Sequence, residues 1–380
     1  MDDSKYLILS CDGGGIRGVV TALLLQELGQ NFLDKVCFFA GTSTGSIIAL
    51  GLASGIKIGK LVKLYKSDGK CNQIFSPSSS KPALTEAKKL ELRAALESVL
   101  KDSVERVEED IGEYWKLIVE IIEELIGPSF TNDGRKELLE AHFTSNPTLA
   151  SLSHQALVTT FQLNSINAEG QAQWSAATLH NLPNLPNSNT SDTLTVDAIM
   201  CSSSAPLYFP PYQLPSGVLC VDGGVFANNP STVALASLLG SKLLGQDGLK
   251  NVYMLSVGTG VNLSSFPYNP SLNTTSEILA AIPYGILGWL WPENEPPVPP
   301  FPLLEVMFDG SSQINDAQAS MLLPSGQYIR ANVSLGENQI PLDDCNSIGT
   351  LEAITSDYIA NSPDWQKVLT WVQTNFGEQA

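Results

Sequence analysis

The sequence predicts an α/β fold in which a mainly parallel sheet is sandwiched by helices. Short apolar runs typical of buried strands alternate with segments of helical periodicity, and the first such strand is Tyr6–Cys11. The opening order of strand, helix, strand and helix indicates βαβ units, which are typical of parallel sheets. The chain has 380 residues, 43% of them hydrophobic. This is enough material for one large α/β domain, so we expect a single domain over residues 1–380.

The same patterns place the individual elements along the chain. We expect strands at residues 6–11, 36–40, 156–163, 174–179, 218–221, 251–258 and 328–335. We expect helices at residues 19–28, 56–66, 196–201, 303–323 and 365–376. Residues 83–126 carry apolar positions at a spacing near that of a coiled coil and contain no strand signal. They predict a helical insertion at about residues 76–130.

Charge limits the classes of partner. The formal net charge is −18 and only 16% of the residues are charged. Nucleic acid is an unsuitable partner, because its phosphates would be repelled. The first residues lack the basic and apolar segments of a secretory signal, so we expect a cytoplasmic protein. Any contact with membranes should be peripheral and apolar, and residues 286–291, which include Trp289 and Trp291, suit it best. The alternative is that these residues pack under the proline-rich loop that follows them.

Six cysteines show no Cys-x-x-Cys spacing. We therefore expect structural free thiols, with neither a zinc site nor a disulfide framework. No other cluster of metal ligands accompanies the motifs, so the sequence predicts no metal and no cofactor.

The segment Gly41-Thr42-Ser43-Thr44-Gly45 is the centre of the predicted site. It follows an apolar strand and precedes an apolar helical run, the setting in which Gly-x-Ser-x-Gly forms a nucleophile elbow. Glycines at both ends are needed where strand and helix backbones pass close to the turn. We therefore expect Ser43 to be a nucleophile and the four flanking residues to shape the elbow.

A serine nucleophile needs a base. The histidines are at positions 142, 154 and 180, so none can follow an acid late in the chain, as the usual order of Ser, acid and His requires. Asp222 ends a predicted strand and is followed by Gly223 and Gly224, which allow close approach. We expect Asp222 to be the base, with its pKa raised by burial, and the histidines to be structural.

The loop Gly13-Gly14-Gly15 with Arg17 admits two interpretations. Residues 13–18 match the dinucleotide fingerprint, but that site also needs an acid at the end of the second strand, whereas Asp34 precedes this strand. The other interpretation is an oxyanion hole, in which glycine N–H groups at a helix N-terminus bind developing negative charge.

Three motifs, at residues 12–18, 41–45 and 222–224, together resemble the patatin-like phospholipases in order and in strand context. The resemblance covers most of residues 6–335 and is weakest over about 76–130. It implies a Ser–Asp dyad of Ser43 and Asp222, with an oxyanion site formed by the three glycines of the loop and Arg17.

The resemblance further implies calcium-independent hydrolysis of acyl esters in membrane lipids such as phospholipids or galactolipids. Ser46 stands where the family often has another glycine. Two alternatives remain open from the sequence. One is a lipid-binding or regulatory protein that keeps the fold without turnover, and the other is a nucleotide-binding enzyme.

Overall fold

The structure is a computed structural model that describes residues 5–66, 70–78, 90, 127–185, 190–264, 289, 299, 301–336 and 340–377. Most of the predicted insertion lies outside these residues, as does Trp291. Over the described ranges, no helix combines the length and the apolar composition needed to cross a membrane.

One mixed sheet forms the centre of the molecule. Its strands are β1 (Tyr6–Cys11), β2 (Phe38–Gly41), β3 (Gln155–Ile166), β4 (Ala172–His180), β5 (Tyr212–Gln213), β6 (Leu219–Asp222), β7 (Val252–Val257) and β8 (Tyr328–Ala331). They are ordered β5-β6-β3-β2-β1-β7-β8, and β4 pairs with β3 away from this path. Five neighbouring strands of this order, β3, β2, β1, β7 and β8, are mutually parallel. The pairs β3–β4, β3–β6 and β5–β6 are antiparallel.

Helices connect the strands and flank the sheet. The described α-helices are α1 (Gly18–Leu28), α2 (Gln30–Leu33), α3 (Thr44–Ala53), α4 (Ile58–Lys66), α5 (Lys70–Ile74), α6 (Asp133–His142), α7 (Thr195–Ser202), α8 (Gly224–Ala227), α9 (Ser231–Gly240), α10 (Pro302–Leu322), α11 (Ile348–Asn361) and α12 (Pro363–Phe376). Short 3₁₀ turns occupy Gly15–Arg17, Leu149–Ser151, Gly245–Asp247 and Cys345–Ser347.

Local sequence signals explain several of these helices. In α4, Leu61 and Leu64 are buried while Lys60 and Lys63 are exposed, as expected for an amphipathic helix at a domain surface. The start of α12 is fixed by Ser362, whose side chain accepts the N–H of the residue two positions later, with proline at the first helical position.

The two faces of the sheet bury two separate apolar cores. Along β1, Leu7 and Leu9 belong to the larger core, whereas Ile8 between them belongs to the smaller one. In β2, Phe39 joins the larger core and Phe38 the smaller. Since successive strand residues point to opposite faces, both faces of the sheet are covered. The predicted fold, a mainly parallel sheet sandwiched by helices, is confirmed.

The predicted elements that fall on described residues are present, with ends that differ by a few residues. The prediction missed α2, α5, α6, α8, α9 and α11, and it missed the two-residue edge strand β5. Several of these are short or have no strong apolar period, so little local signal marks them.

The expectation of six free thiols was wrong. Cys71 on α5 and Cys345 form a disulfide, with Cα atoms 5.7 Å apart. The other cysteines, at positions 11, 37, 201 and 220, are free thiols. The pair is 274 residues apart in sequence, so spacing could not reveal it. Disulfides persist mainly in oxidising compartments, so this bond does not support the cytoplasmic location. That location stays a prediction.

Candidate active site

Ser43 occupies a strained turn between β2 and α3. Its φ is 54° and its ψ is −123°, a backbone conformation that residues other than glycine rarely adopt. The residue is 8% exposed. A serine held in this way at a turn from strand to helix has the geometry of a nucleophile elbow.

Gly41 and Gly45 are required because backbones pass close on both sides of the turn. A Cβ on Gly41 would lie 2.4 Å from the carbonyl oxygen of Gly45. A Cβ on Gly45 would lie 2.2 Å from the carbonyl oxygen of Cys11, at the end of β1. Neither contact can be relieved by moving a flexible side chain, so the elbow needs both glycines.

The threonines on either side of Ser43 fix the elbow to its neighbours. The Thr42 hydroxyl lies 2.7 Å from the hydroxyl of Thr159 and 2.7 Å from the carbonyl oxygen of Ala227. The Thr44 hydroxyl lies 2.6 Å from the hydroxyl of Tyr65. These bonds tie the elbow to β3, α8 and α4.

Asp222 ends β6 and is fully buried. It lies opposite Thr160 of β3, two residues beyond Val158, which pairs with Gly41 at the end of β2. Its Oδ1 accepts the backbone N–H of Gly224 at 2.7 Å. Its Oδ2 accepts no hydrogen bond from a described residue.

The electrostatics of Asp222 favour a carboxyl group that can take up a proton. Burial raises the pKa of Asp222 to about 6. The Ser43 hydroxyl, the Gly224 N–H and the Arg135 guanidinium act in the opposite direction and limit the rise in pKa. The Ser43 hydroxyl is therefore a close neighbour of the carboxylate. Contacts between catalytic groups often tighten only when substrate binds.

The glycine-rich loop lies beside the elbow. Gly15 has a φ of 56° and starts the 3₁₀ turn before α1. The N–H groups of Gly14 and Gly15 donate to no described residue, so both are available to an anion at this helix start. The N–H of Gly13 instead donates to the carbonyl oxygen of Asn228 at 2.9 Å. That bond corrects the expectation for Gly13, which shapes the loop but has no free N–H to offer.

Arg17 and Asp12 hold the loop from behind. The Arg17 guanidinium lies 3.5 Å from Glu305 on α10 and 3.5 Å from the carbonyl oxygen of Gly14, and it is buried. The carboxylate of Asp12 is also buried and forms an ion pair with Arg330 of β8 at 2.6 Å. Arg17 was predicted at the oxyanion site, and its contacts here support the loop.

An apolar pocket opens beside Ser43. It is lined by Gly15, Ile16, Ser43, Thr44, Ile47, Tyr65, Ile74, Phe75, Arg135, Ser203, Ala205, Tyr208, Phe209, Phe308 and Leu342. Several of its aromatic rings pack against each other, as Phe75 does with Phe209 at 5.7 Å between ring centroids. The pocket offers an elongated apolar group a dry surface next to the serine.

None of the three histidines lies among the residues that line this pocket. Each has other partners: His142 Nε2 lies 2.9 Å from Lys70 Nζ, His180 Nδ1 accepts the N–H of Leu182, and His154 packs edge-on against Phe39. Within the described part of the chain, no group of three or more His, Cys, Asp or Glu side chains is arranged to hold a metal ion.

Two residues at this site were missed from the sequence. Arg135 of α6 lines the pocket, and Ser202, which ends α7, accepts the backbone N–H of Ser43 at 3.0 Å. A run of three serines before Ala205 was visible in the sequence, but no local pattern marks the arginine.

The chain is 24% identical over 273 residues to a cGAMP-activated phospholipase of Escherichia coli (strain TW11681), covering 68% of this chain and 63% of that protein. It is 22% identical over 373 residues to patatin-like protein 3 of Arabidopsis thaliana, covering 91% of this chain and 76% of that protein. The chain thus spans less than two thirds of the length of the bacterial relative.

Among solved structures, VipD from Legionella pneumophila matches with a TM-score of 0.41 and 15% identity, over 98% of this chain and 67% of that one. A likeness this loose carries no weight for function. The family model described as patatin-like phospholipase, in contrast, matches residues 9–235, which include the glycine-rich loop, Ser43 and Asp222. The chain belongs to the patatin-like phospholipase family.

Proposed function

We propose that this chain is a lipid acyl hydrolase of the phospholipase A type, in which Ser43 is the nucleophile and Asp222 the general base. One observation carries the proposal. A strained serine faces a buried carboxylate whose Oδ2 accepts no hydrogen bond from a described residue and whose pKa is raised to about 6. Strained backbone and raised carboxyl pKa values both cost stability and are concentrated at functional sites.

In the first half of the reaction, Ser43 Oγ attacks the carbonyl carbon of the ester while Asp222 takes the hydroxyl proton. The carbon–oxygen bond to the leaving alcohol then breaks, and the proton on Asp222 passes to that alcohol. In the second half, water attacks the acyl-enzyme and gives its proton to Asp222. Collapse of this intermediate releases the fatty acid and returns the proton to Ser43.

The negative charge that develops on the carbonyl oxygen needs donors. The free N–H groups of Gly14 and Gly15 suit this role, because they lie at a helix start beside the pocket that contains Ser43. Since backbone amides supply the stabilisation, we propose that turnover is independent of calcium. Activity should survive EDTA, and loss of activity with rescue by added calcium would contradict this.

The substrate we propose is the acyl ester of a membrane lipid, either a phospholipid or a galactolipid. The aliphatic and aromatic side chains beside Ser43 suit a fatty acyl chain. With a formal charge of −18, the protein gains no long-range attraction to anionic membranes, so contact with lipid should be peripheral and apolar. Trp289 and Trp291 stay the predicted contact residues.

A lipid hydrolysis screen with mass-spectrometric detection tests the proposal. Phospholipid and galactolipid vesicles are incubated with the wild-type protein and with the Ser43→Ala and Ser54→Ala variants. Ser54 is the matched control, because its hydroxyl lies at the other end of the same helix and has no hydrogen-bond partner in the described structure. We expect free fatty acid from the wild type and Ser54→Ala only. Binding to vesicles without release of fatty acid would favour a silent lipid-binding protein.

A further inference from the structure

Arg135 is a deeply buried cation at the edge of the pocket. Its side chain lies on α6, the residue is 2% exposed, and the guanidinium stacks 4.0 Å from the centre of the Phe209 ring. No carboxylate of the described residues lies within ion-pair distance of it. Burying a charge without a direct ion pair is costly, so such a residue is expected to serve a purpose other than stability alone.

Most hydrogen bonds of the guanidinium go to Ser203 and Ser204, which directly follow α7. Its Nη1 donates to the carbonyl oxygen of Ser203, and also to the Ser203 hydroxyl at 3.2 Å. Its Nη2 donates to the Ser204 hydroxyl at 3.0 Å and to Oδ1 of Asn132 at 2.6 Å. A planar fork of donors fixes its acceptors more rigidly than a single ammonium group can.

The same segment, residues 202–204, contacts both members of the proposed dyad. The Ser202 hydroxyl accepts the backbone N–H of Ser43 at 3.0 Å. The carbonyl oxygen of Ser204 accepts the backbone N–H of Asp222 at 2.9 Å. Residues 202–204 therefore form a bridge between the nucleophile elbow and the end of β6, and Arg135 is bound to that bridge from the pocket side.

We propose that Arg135 is a positioning residue, which clamps residues 202–204 and so fixes Ser43 and Asp222 in the relative position that proton transfer needs. This inference rests on the function proposed for the dyad. The clamp acts through the bridge: Arg135 is not required to touch the substrate.

Arg135 also acts on Asp222 through space. Its charge opposes the effect of burial on the pKa of Asp222, and Asp222 in turn opposes the effect of burial on the pKa of Arg135, which falls to about 9. The other groups that act on the Asp222 carboxyl are the Ser43 hydroxyl and the Gly224 N–H, neither of them charged. Substitutions can separate the effect of the Arg135 charge from the effect of its hydrogen-bond geometry, because lysine keeps the positive charge of arginine but not its planar fork of donors.

The kinetic test compares Arg135→Lys and Arg135→Met with wild type on a water-soluble short-chain ester. Lys136→Met is the matched control, because it removes one positive charge from the next residue of the same helix. Misplacement of a reacting group by ~1 Å can cost about 100-fold in rate, so we expect both Arg135 variants to lose kcat on that scale with little change in KM. Full kcat in Arg135→Lys would overturn the clamp.

The pH profile separates positioning from plain structural support. The acid limb of kcat/KM should move to higher pH in Arg135→Met, because the Asp222 carboxylate loses its neighbouring cation. In Arg135→Lys the limb should stay at its wild-type pH while kcat falls. An unmoved limb in Arg135→Met would overturn the electrostatic part of the inference.

Two further measurements keep the inference testable if the Arg135 variants fold poorly or the chain hydrolyses no ester. Ser204→Ala removes one acceptor of the guanidinium and should lower kcat in the same direction by a smaller factor. In a crystal structure of Arg135→Met, or of Ser204→Ala if that variant alone folds, the segment 202–204 should shift and change the separation of Ser43 and Asp222. A segment that superposes on the wild type would overturn the clamp without reference to activity.

Discussion

The hydroxyl of Ser43 lies beside the buried carboxylate of Asp222 and lowers the pKa of that carboxyl, while burial raises it to about 6. Asp222 Oδ2 has no hydrogen bond of its own to a described residue. The two residues come from different parts of the sheet, the end of β2 and the end of β6. The position of these side chains next to an apolar pocket is what supports an acyl hydrolase without a histidine base.

Asp222→Asn should remove most of the turnover of a short-chain ester. An amide cannot accept the serine proton, and general-base catalysis contributes about 10²–10⁴-fold to the rate. The measurement is kcat with the purified variant. Asp197→Asn serves as control, because Asp197 is another buried aspartate, hydrogen-bonded to Tyr212. Substantial activity in Asp222→Asn would show that Asp222 is not the base.

The same variant should be at least as stable as the wild type at pH 7. The pKa of Asp222 is raised from its ordinary value of 3.8 to about 6 in the folded protein. The carboxylate therefore lowers the free energy of unfolding as the pH rises from the first value to the second. A shift of this size corresponds to a cost on the order of 3 kcal/mol at neutral pH, which the uncharged amide relieves. Thermal unfolding at pH 7 checks this, and a markedly lower Tm in Asp222→Asn would contradict it.

The rate of hydrolysis should fall in acid with one apparent pKa near 6. Asp222 must be deprotonated to accept the serine proton, so kcat/KM should drop about tenfold per pH unit below that value. Measurement with a short-chain ester between pH 4 and 8, roughly the range around the pKa of a raised carboxyl, defines the limb. A rate that stays level down to the ordinary aspartate value would mean that Asp222 does not act as the base.

Cys71 and Cys345 should be oxidised in the purified protein. Under denaturing conditions without reductant, thiol titration should find four of the six cysteines free. Removing the bond in Cys71→Ser with Cys345→Ser should lower the free energy of unfolding by about 2–5 kcal/mol. Cys37→Ser, which removes a partly exposed free thiol, should have little effect. Six reactive thiols in the wild type would contradict the pairing.

The sheet and the elbow could be predicted because their signals are local. Apolar runs with a glycine at or just after their C-terminal ends indicated β1, β2, β6 and β7. The Gly-x-Ser-x-Gly pattern around Ser43 indicated a tight turn independently of the rest of the chain. The prediction that Asp222 is the base came from its place at the end of a strand and from the lack of a histidine late enough in the chain.

The features that were missed depend on contacts between distant segments. Arg135 becomes a candidate site residue only once α6 packs against the end of α7. Nothing near it in sequence marks a buried cation. Gly13 was assigned an oxyanion role with its neighbours, but the carbonyl oxygen of Asn228 occupies its N–H from another part of the chain. The single-domain organisation and the helical insertion at about residues 76–130 stay predictions.

The most direct measurement is covalent labelling with a fluorophosphonate, followed by peptide mass spectrometry of the wild-type protein. The reagent reacts with a serine only where a base activates its hydroxyl. We predict one adduct per chain, located on Ser43, with labelling abolished in Ser43→Ala and greatly slowed in Asp222→Asn. An unlabelled wild-type protein, or an adduct on a different serine, would contradict the proposal that Ser43 and Asp222 form the catalytic dyad.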